Sequence, residues 1–166
     1  MSLFLELFKE HDVLKGLCLQ AKELGEDAVQ RARLLDELRV NLVAHARAEE
    51  ETLYARMAQI DRADALEGHE EHHLMDGILD ELTELPVGDE RWSAKLEVLR
   101  ETALHHLQEE EESLFPRSEK EIVGEEVETL GRKYRELFVE ACEVMDLTQP
   151  DAKDARDAKD AKSIIL

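Results

Sequence analysis

His45-Ala-Arg-Ala-Glu49-Glu50 and His106-Leu-Gln-Glu-Glu110-Glu111 are two copies of one pattern, His-x-x-x-Glu-Glu, set 61 residues apart (106 − 45). The same offset carries Glu10-His11 onto Glu71-His72. It also maps Gly16 onto Gly77, Leu17 onto Ile78, Leu38 onto Leu99, Leu53 onto Leu114 and Tyr54 onto Phe115. Self-similarity at a fixed offset marks a structural unit used twice. His and Glu four residues apart lie on one face of a helix, one turn apart, so each unit is read as a pair of helices. Two such pairs, meeting about a pseudo-twofold axis, make an all-α, up-down-up-down four-helix bundle.

Outward from these stretches, the apolar spacing is helical throughout. A first helix is expected from about Leu3 to Leu24, with Ser2 as N-cap and the seam Phe4, Leu7, His11, Leu14, Cys18, Ala21. A turn around Gly25-Glu26-Asp27 leads to a second, from about Asp27 to Ile60, with the seam Leu35, Leu38, Leu42, His45, Glu49, Thr52. The third runs from about Arg62 to Leu85 through Ala65, Gly68, His72, Met75, Leu79, Leu82 and stops before Pro86. The fourth, about Asp89 to Phe115, carries Trp92, Leu96, Leu99, Ala103, His106, Glu110, with Pro116 closing or kinking it. A further amphipathic stretch, about Glu119 to Asp146, predicts an additional C-terminal helix packed outside the bundle or against another subunit. Residues 1–146 are therefore read as one helical unit. Residues 147–166, with their Asp-Ala-Lys triplets, are read as a charged low-complexity tail, because a period of three keeps no apolar face on a helix.

Composition narrows the possible roles. With 166 residues the chain is sized for one domain, and 7 Gly and 3 Pro favour helix. A formal charge of −20 argues against nucleic acid and against anionic membrane surfaces as partners. No apolar run reaches the ~20 residues of a membrane span, and the start, Met-Ser-Leu-Phe-Leu-Glu, lacks the basic region of a signal peptide. Cys18 and Cys142 stand apart, as reduced thiols of a cytoplasmic protein do.

The chemistry lies in the seam. A buried carboxylate is costly without a cation or a base beside it, and here His11, His45, His72, His106, Glu49 and Glu110 all occupy core positions at related depths. Imidazole suits Fe, Zn, Cu and Ni, while a carboxylate can bridge two cations. The set predicts a metal site with four imidazoles as terminal ligands and Glu49 and Glu110 as bridges, the ligand set of a non-haem di-iron centre. His69, three before His72, is a candidate additional nitrogen, and His73 is its rival. His105 is expected at the surface. Glu50 and Glu111 either orient ligands or face water. Tyr54 either packs the lower core or donates a hydrogen bond near the site. A wall of Leu14, Leu42, Met75 and Ala103 is expected one turn from the ligands.

Taken in order, Glu10-His11, His45-x-x-x-Glu49-Glu50, Glu71-His72 with Met75, Ile78 and Leu79, and His106-x-x-x-Glu110-Glu111 ahead of Leu-Phe-Pro resemble the hemerythrin-like HHE cation-binding domain, over about residues 1 to 145. The resemblance implies a four-helix bundle holding two Fe ions with an oxo or hydroxo bridge, and binding of, or reaction with, O₂, NO or peroxide. Two departures separate the chain from oxygen-carrying hemerythrins. Those place His-x-x-x-His on the third helix, where alignment on His72 puts Gly68; reading the pair as His69/His73 is the other register. They also use His-x-x-x-x-Asp on the fourth, where this chain has His106-x-x-x-Glu110. Other readings are an iron or zinc store without redox turnover, and a structural module that recruits a protein partner or self-associates through the fifth helix.

Overall fold

The computed structural model describes residues 2 to 148. They form α1 (Leu3–Glu23), α2 (Ala28–Glu49), a π-helical turn π1 (Glu50–Tyr54), α3 (Ala55–Met57), α4 (Arg62–Glu84), α5 (Glu90–Glu109), a second π turn π2 (Glu110–Leu114), α6 (Phe115–Glu121) and α7 (Glu125–Thr148). Because α2, π1 and α3 run on without a break, as do α5, π2 and α6, the architecture is five rods. Residues 149–166, where most of the expected tail falls, lie outside the described residues.

Aspartates start three of the rods. Asp27 accepts from the Gln30 N–H, Asp61 from Ala63 and Asp64, and Asp89 from Arg91, each satisfying donors that a helix start leaves unpaired. Ser2 holds the N-cap position of α1 but makes no side-chain bond there. The connections are short, so α1, α2, α4 and α5 pack in an up-down-up-down square, and α7 lies outside against α1 and α2. The fourth rod passes Pro116 and ends at Glu121, beyond the expected end near Phe115. The reason is π2: the Phe115 N–H bonds to the Glu110 carbonyl five residues back, so Pro116 falls where the hydrogen-bond ladder is already changing step. The break before α7 therefore comes later than expected, around Gly124, whose φ of +63° suits glycine.

Two apolar clusters fill the bundle. Leu14, Leu38, Leu42, Met75, Leu79, Trp92, Leu99 and Ala103 belong to one. Leu3, Leu7, Leu53, Met57, Phe115 and the α7 residues Tyr134 and Phe138 belong to the other. The expected wall of Leu14, Leu42, Met75 and Ala103 lies wholly in the first. Between the clusters runs one polar layer. No helix among the described residues is long and apolar enough to cross a membrane.

Candidate metal centre

That layer is built by the seam positions of four rods. His11 comes from α1, His45 and Glu49 from α2, His72 from α4, His106 from α5 and Glu110 from the first residue of π2; all six are buried. Their donor atoms fall into two groups that share Glu49: His11, His45, Glu49 and Glu110 form one, and Glu49, His72 and His106 the other. Within them His11 Nε2 lies 3.4 Å from Glu110 Oε2, His45 Nε2 3.3 Å and His72 Nε2 3.6 Å from Glu49 Oε2, and His106 Nε2 3.5 Å from Glu110 Oε2. His72 Nε2 and His106 Nε2 are 3.0 Å apart. Ligands on one ion, at bonds of about 2.1 Å, stand roughly 3.0–3.5 Å from one another.

Every imidazole turns Nε2 inward and Nδ1 to an outer partner. Glu111 Oε1 takes His11 at 2.9 Å, Glu50 Oε1 takes His72 at 2.9 Å, Glu71 Oε2 takes His106 at 2.6 Å, and the Tyr134 hydroxyl on α7 meets His45 at 2.7 Å. Such partners fix the tautomer and the ring orientation of metal-binding histidines. The Tyr54 hydroxyl donates to Glu110 Oε1 at 2.6 Å. By contrast, His11 Nε2, His45 Nε2, both oxygens of Glu49 and Oε2 of Glu110 are buried with no hydrogen-bond partner. Unpartnered buried donors and acceptors are rare and costly. A convergent set of imidazole and carboxylate atoms, each locked from behind, fits transition-metal cations.

The π turns help to place these groups. The first begins just after its His-x-x-x-Glu stretch and the second on the last residue of its own, and each bonds five residues back. The wider turn carries adjacent acids to different tasks, with Glu49 and Glu110 facing inward while Glu50 and Glu111 reach the outer nitrogens of His72 and His11. Such turns are frequent at functional sites.

Electrostatics divides the site. Burial, reinforced by the adjacent His11, pushes His45 down to about 3. At His106 burial acts the same way, but the charges of Glu110 and Glu49 and the bond to Glu71 outweigh it and raise the imidazole to about 9. Burial and the neighbouring Glu110 push Glu49 well above the carboxylate range. Burial of Glu110 is overcome by His106 and His11, which hold it well below that range. Burial thus favours the neutral form of Glu49, while the neighbouring imidazoles favour the charged form of Glu110. His72 and His106 face each other through their Nε2 atoms at 3.0 Å, and burial lowers the pKa of His72.

Six of the seven candidate ligands from the sequence are brought together. The seventh, His69, lies outside both donor groups, with a side chain 43 % exposed and Nδ1 3.4 Å from Glu50 Oε1. His105 is exposed and lies 3.7 Å from Glu109. Glu71 and Tyr134 have roles that sequence reasoning did not assign. A hydroxyl at a seam position of α7 was the available signal, since a buried tyrosine seeks a polar partner. Tyr54, read either as packing or as a donor near the site, is both buried and a donor.

The family profile described as the hemerythrin HHE cation binding domain matches residues 4–118. The chain belongs to the hemerythrin HHE cation-binding domain family, and its His/Glu layer contains two groups of donors that could hold a metal ion. A solved structure of a hemerythrin HHE cation-binding domain-containing protein from Mycobacterium kansasii is similar in fold, with 24% sequence identity and a TM-score of 0.75. The match covers 87% of this chain and 89% of that one. Among curated proteins none matches the sequence.

Proposed function

We propose that the chain is a non-haem di-iron protein that binds or reacts with O₂, NO or peroxide. The observation that carries this reading is the convergence of buried nitrogen and oxygen donors from four rods, in two groups joined by Glu49, with those of His11, His45, Glu49 and one oxygen of Glu110 left unpartnered. A pair of irons supplies Lewis acidity and redox chemistry. His11 and His45 would hold one ion and His72 and His106 the other, with Glu49 and Glu110 between them. Burial excludes bulk water, the four outer partners hold each imidazole in the tautomer that presents Nε2, and the Tyr54 hydroxyl keeps a proton beside Glu110.

The test is metal content of protein purified without oxygen and without chelator. About two irons per chain is the expected result. Zinc in both positions, with no absorbance change on adding O₂ or peroxide, would replace this reading with storage or buffering. No metal after reconstitution with ferrous iron would overturn it.

A further inference from the structure

The polar layer is closed on one side and open on another. Above the layer, Leu14, Leu42, Met75 and Ala103 are each at most 4% exposed and close the bundle. On the side of α4, π2 and α6 a cavity of about 380 Å³ reaches inward, and of the six inward-facing residues only His106 and Glu110 line it. Tyr54 and Gly68 lie against it as well.

Tyr54 owes its place to Gly68. A Cβ on residue 68 would lie 2.4 Å from the Tyr54 ring and from its hydroxyl, so any larger residue would displace the tyrosine. In its seat the ring lies flat against His72, with centroids 5.3 Å apart and planes 17° apart, and the hydroxyl donates to Glu110. The cavity meets one member of each donor group, His106 of the one and Glu110 of the other. The glycine, the tyrosine seated over it and the cavity therefore coincide at the open edge of the layer.

The rim of the cavity is acidic. Asp64, Glu67, Glu71 and Glu109 line it beside the single cation Arg117, which is paired with Asp64. A mouth of this sign repels anions and is indifferent to neutral molecules.

We propose that this cavity is the entry route for small uncharged ligands to the metal pair, and that Tyr54, seated over Gly68, is the positioning residue at its inner end. Its hydroxyl is bonded to Glu110 before entry and turns to the ligand afterwards. The inference rests on the metal-binding reading, and it adds a side, a gatekeeper and a charge preference.

The probes are nitric oxide and azide, mixed rapidly with anaerobically loaded protein whose metal content is measured in every sample. Glu67→Trp, an exposed change at the rim, is expected to slow nitric oxide association about tenfold, with amplitude and metal content as in the unaltered chain. Glu67→Gln combined with Glu109→Gln speeds azide several-fold at low salt and leaves nitric oxide unchanged. Tyr54→Phe keeps the ring and leaves association within about twofold, but releases nitric oxide about tenfold faster, the loss of one hydrogen bond. In the metal-free chain Gly68→Ala lowers Tm, which checks the seat without any metal.

An unchanged association rate in Glu67→Trp would overturn the route. Unchanged release in Tyr54→Phe would overturn the positioning role, and so would loss of metal in that variant, which would make Tyr54 a prop for Glu110 alone. Unaltered protein that takes up no metal would overturn the metal reading and this inference with it, whereas loaded protein indifferent to all these changes would overturn the inference alone.

Discussion

The half of the site around His11 and His45 and the half around His72 and His106 descend from one repeated sequence, yet they are finished differently. The acids after the bridging pair keep the symmetry: Glu111 backs His11 and Glu50 backs His72. Elsewhere it breaks. Glu71 backs His106, but its counterpart Glu10 turns outward to Arg135 at 2.9 Å, and the Tyr134 hydroxyl backs His45 instead. Tyr54 holds one oxygen of Glu110, while its counterpart Phe115 has no hydroxyl to offer Glu49. Lys15 clamps both oxygens of Glu111 at 2.6 Å, where its counterpart is Asp76. The repeat thus sets where ligands stand, and the residues that depart from it set how strongly each one donates. The imidazoles end far apart as well, His45 pushed by its burial to about 3 and His106 raised by Glu110 and by its bond to Glu71 to about 9.

The largest way to break the comparison is at Glu49, which both halves share. Glu49→Leu is expected to abolish metal binding in both halves, while Glu110→Gln leaves metal in the half that does not count Glu110 among its donors. Metal content per chain separates these outcomes. In the metal-free protein Glu49→Leu should raise Tm, because it replaces an unpartnered buried carboxyl with an apolar side chain. Opposite effects on binding and on folding would identify Glu49 as a residue kept for the metal. A variant that lost both would make it structural.

Much of this was legible beforehand because metal-ligand spacing and helical periodicity are the same signal. His45-x-x-x-Glu49 and His106-x-x-x-Glu110 place donors on the core face, and the offset between copies pairs the helices. What could not be read belongs to tertiary packing. Glu-Glu-Thr-Leu-Tyr and Glu-Glu-Glu-Ser-Leu carry no mark that separates a π turn from an α turn, so the extension of the fourth rod past Pro116 was hidden. Glu10 and Glu71 look equivalent until α7 brings Arg135 to one of them. His69 has helical spacing suitable for a ligand but lies beside Glu50, outside the donor groups.

A smaller effect separates the halves by pH. His106 is raised to about 9 in the metal-free chain, so a cation entering its half must displace a proton, whereas His45 at about 3 has none to lose at neutral pH. Affinity at the His72/His106 half should fall by about tenfold for each pH unit below 9. In the other half the proton to be displaced is on His11, which Glu110 raises against its burial, so that half should lose affinity with falling pH as well. Metal titrations with proton-release measurement would compare the two. Stability of the metal-free chain carries the matching signs. The contribution of His106, raised above its ordinary 6.5, is full below that pH and is lost as pH rises through about 9. His45, lowered from 6.5, destabilises the fold as pH falls toward 3, because only the unfolded chain takes up its proton there.

The smallest effect is the most pointed, because it tests the substitution of a phenol for a carboxylate. An acid behind an imidazole makes it a stronger donor than a neutral hydroxyl does, and losing such an outer partner costs about 10–100-fold in metal affinity. Glu71→Gln, which removes a charge behind His106, should fall near the upper end. Tyr134→Phe, which removes only a neutral hydroxyl behind His45, should fall near about tenfold. Competition against a chelator of known affinity, resolved for each half, would rank the two. If Tyr134→Phe proved the costlier, the hydroxyl would matter chiefly by holding α7 against the bundle. A matching loss of Tm in the metal-free chain would then accompany it, while Glu71→Gln, at a half-buried position of α4, would lower Tm at neutral pH, where His106 is charged, and less as pH rises through about 9.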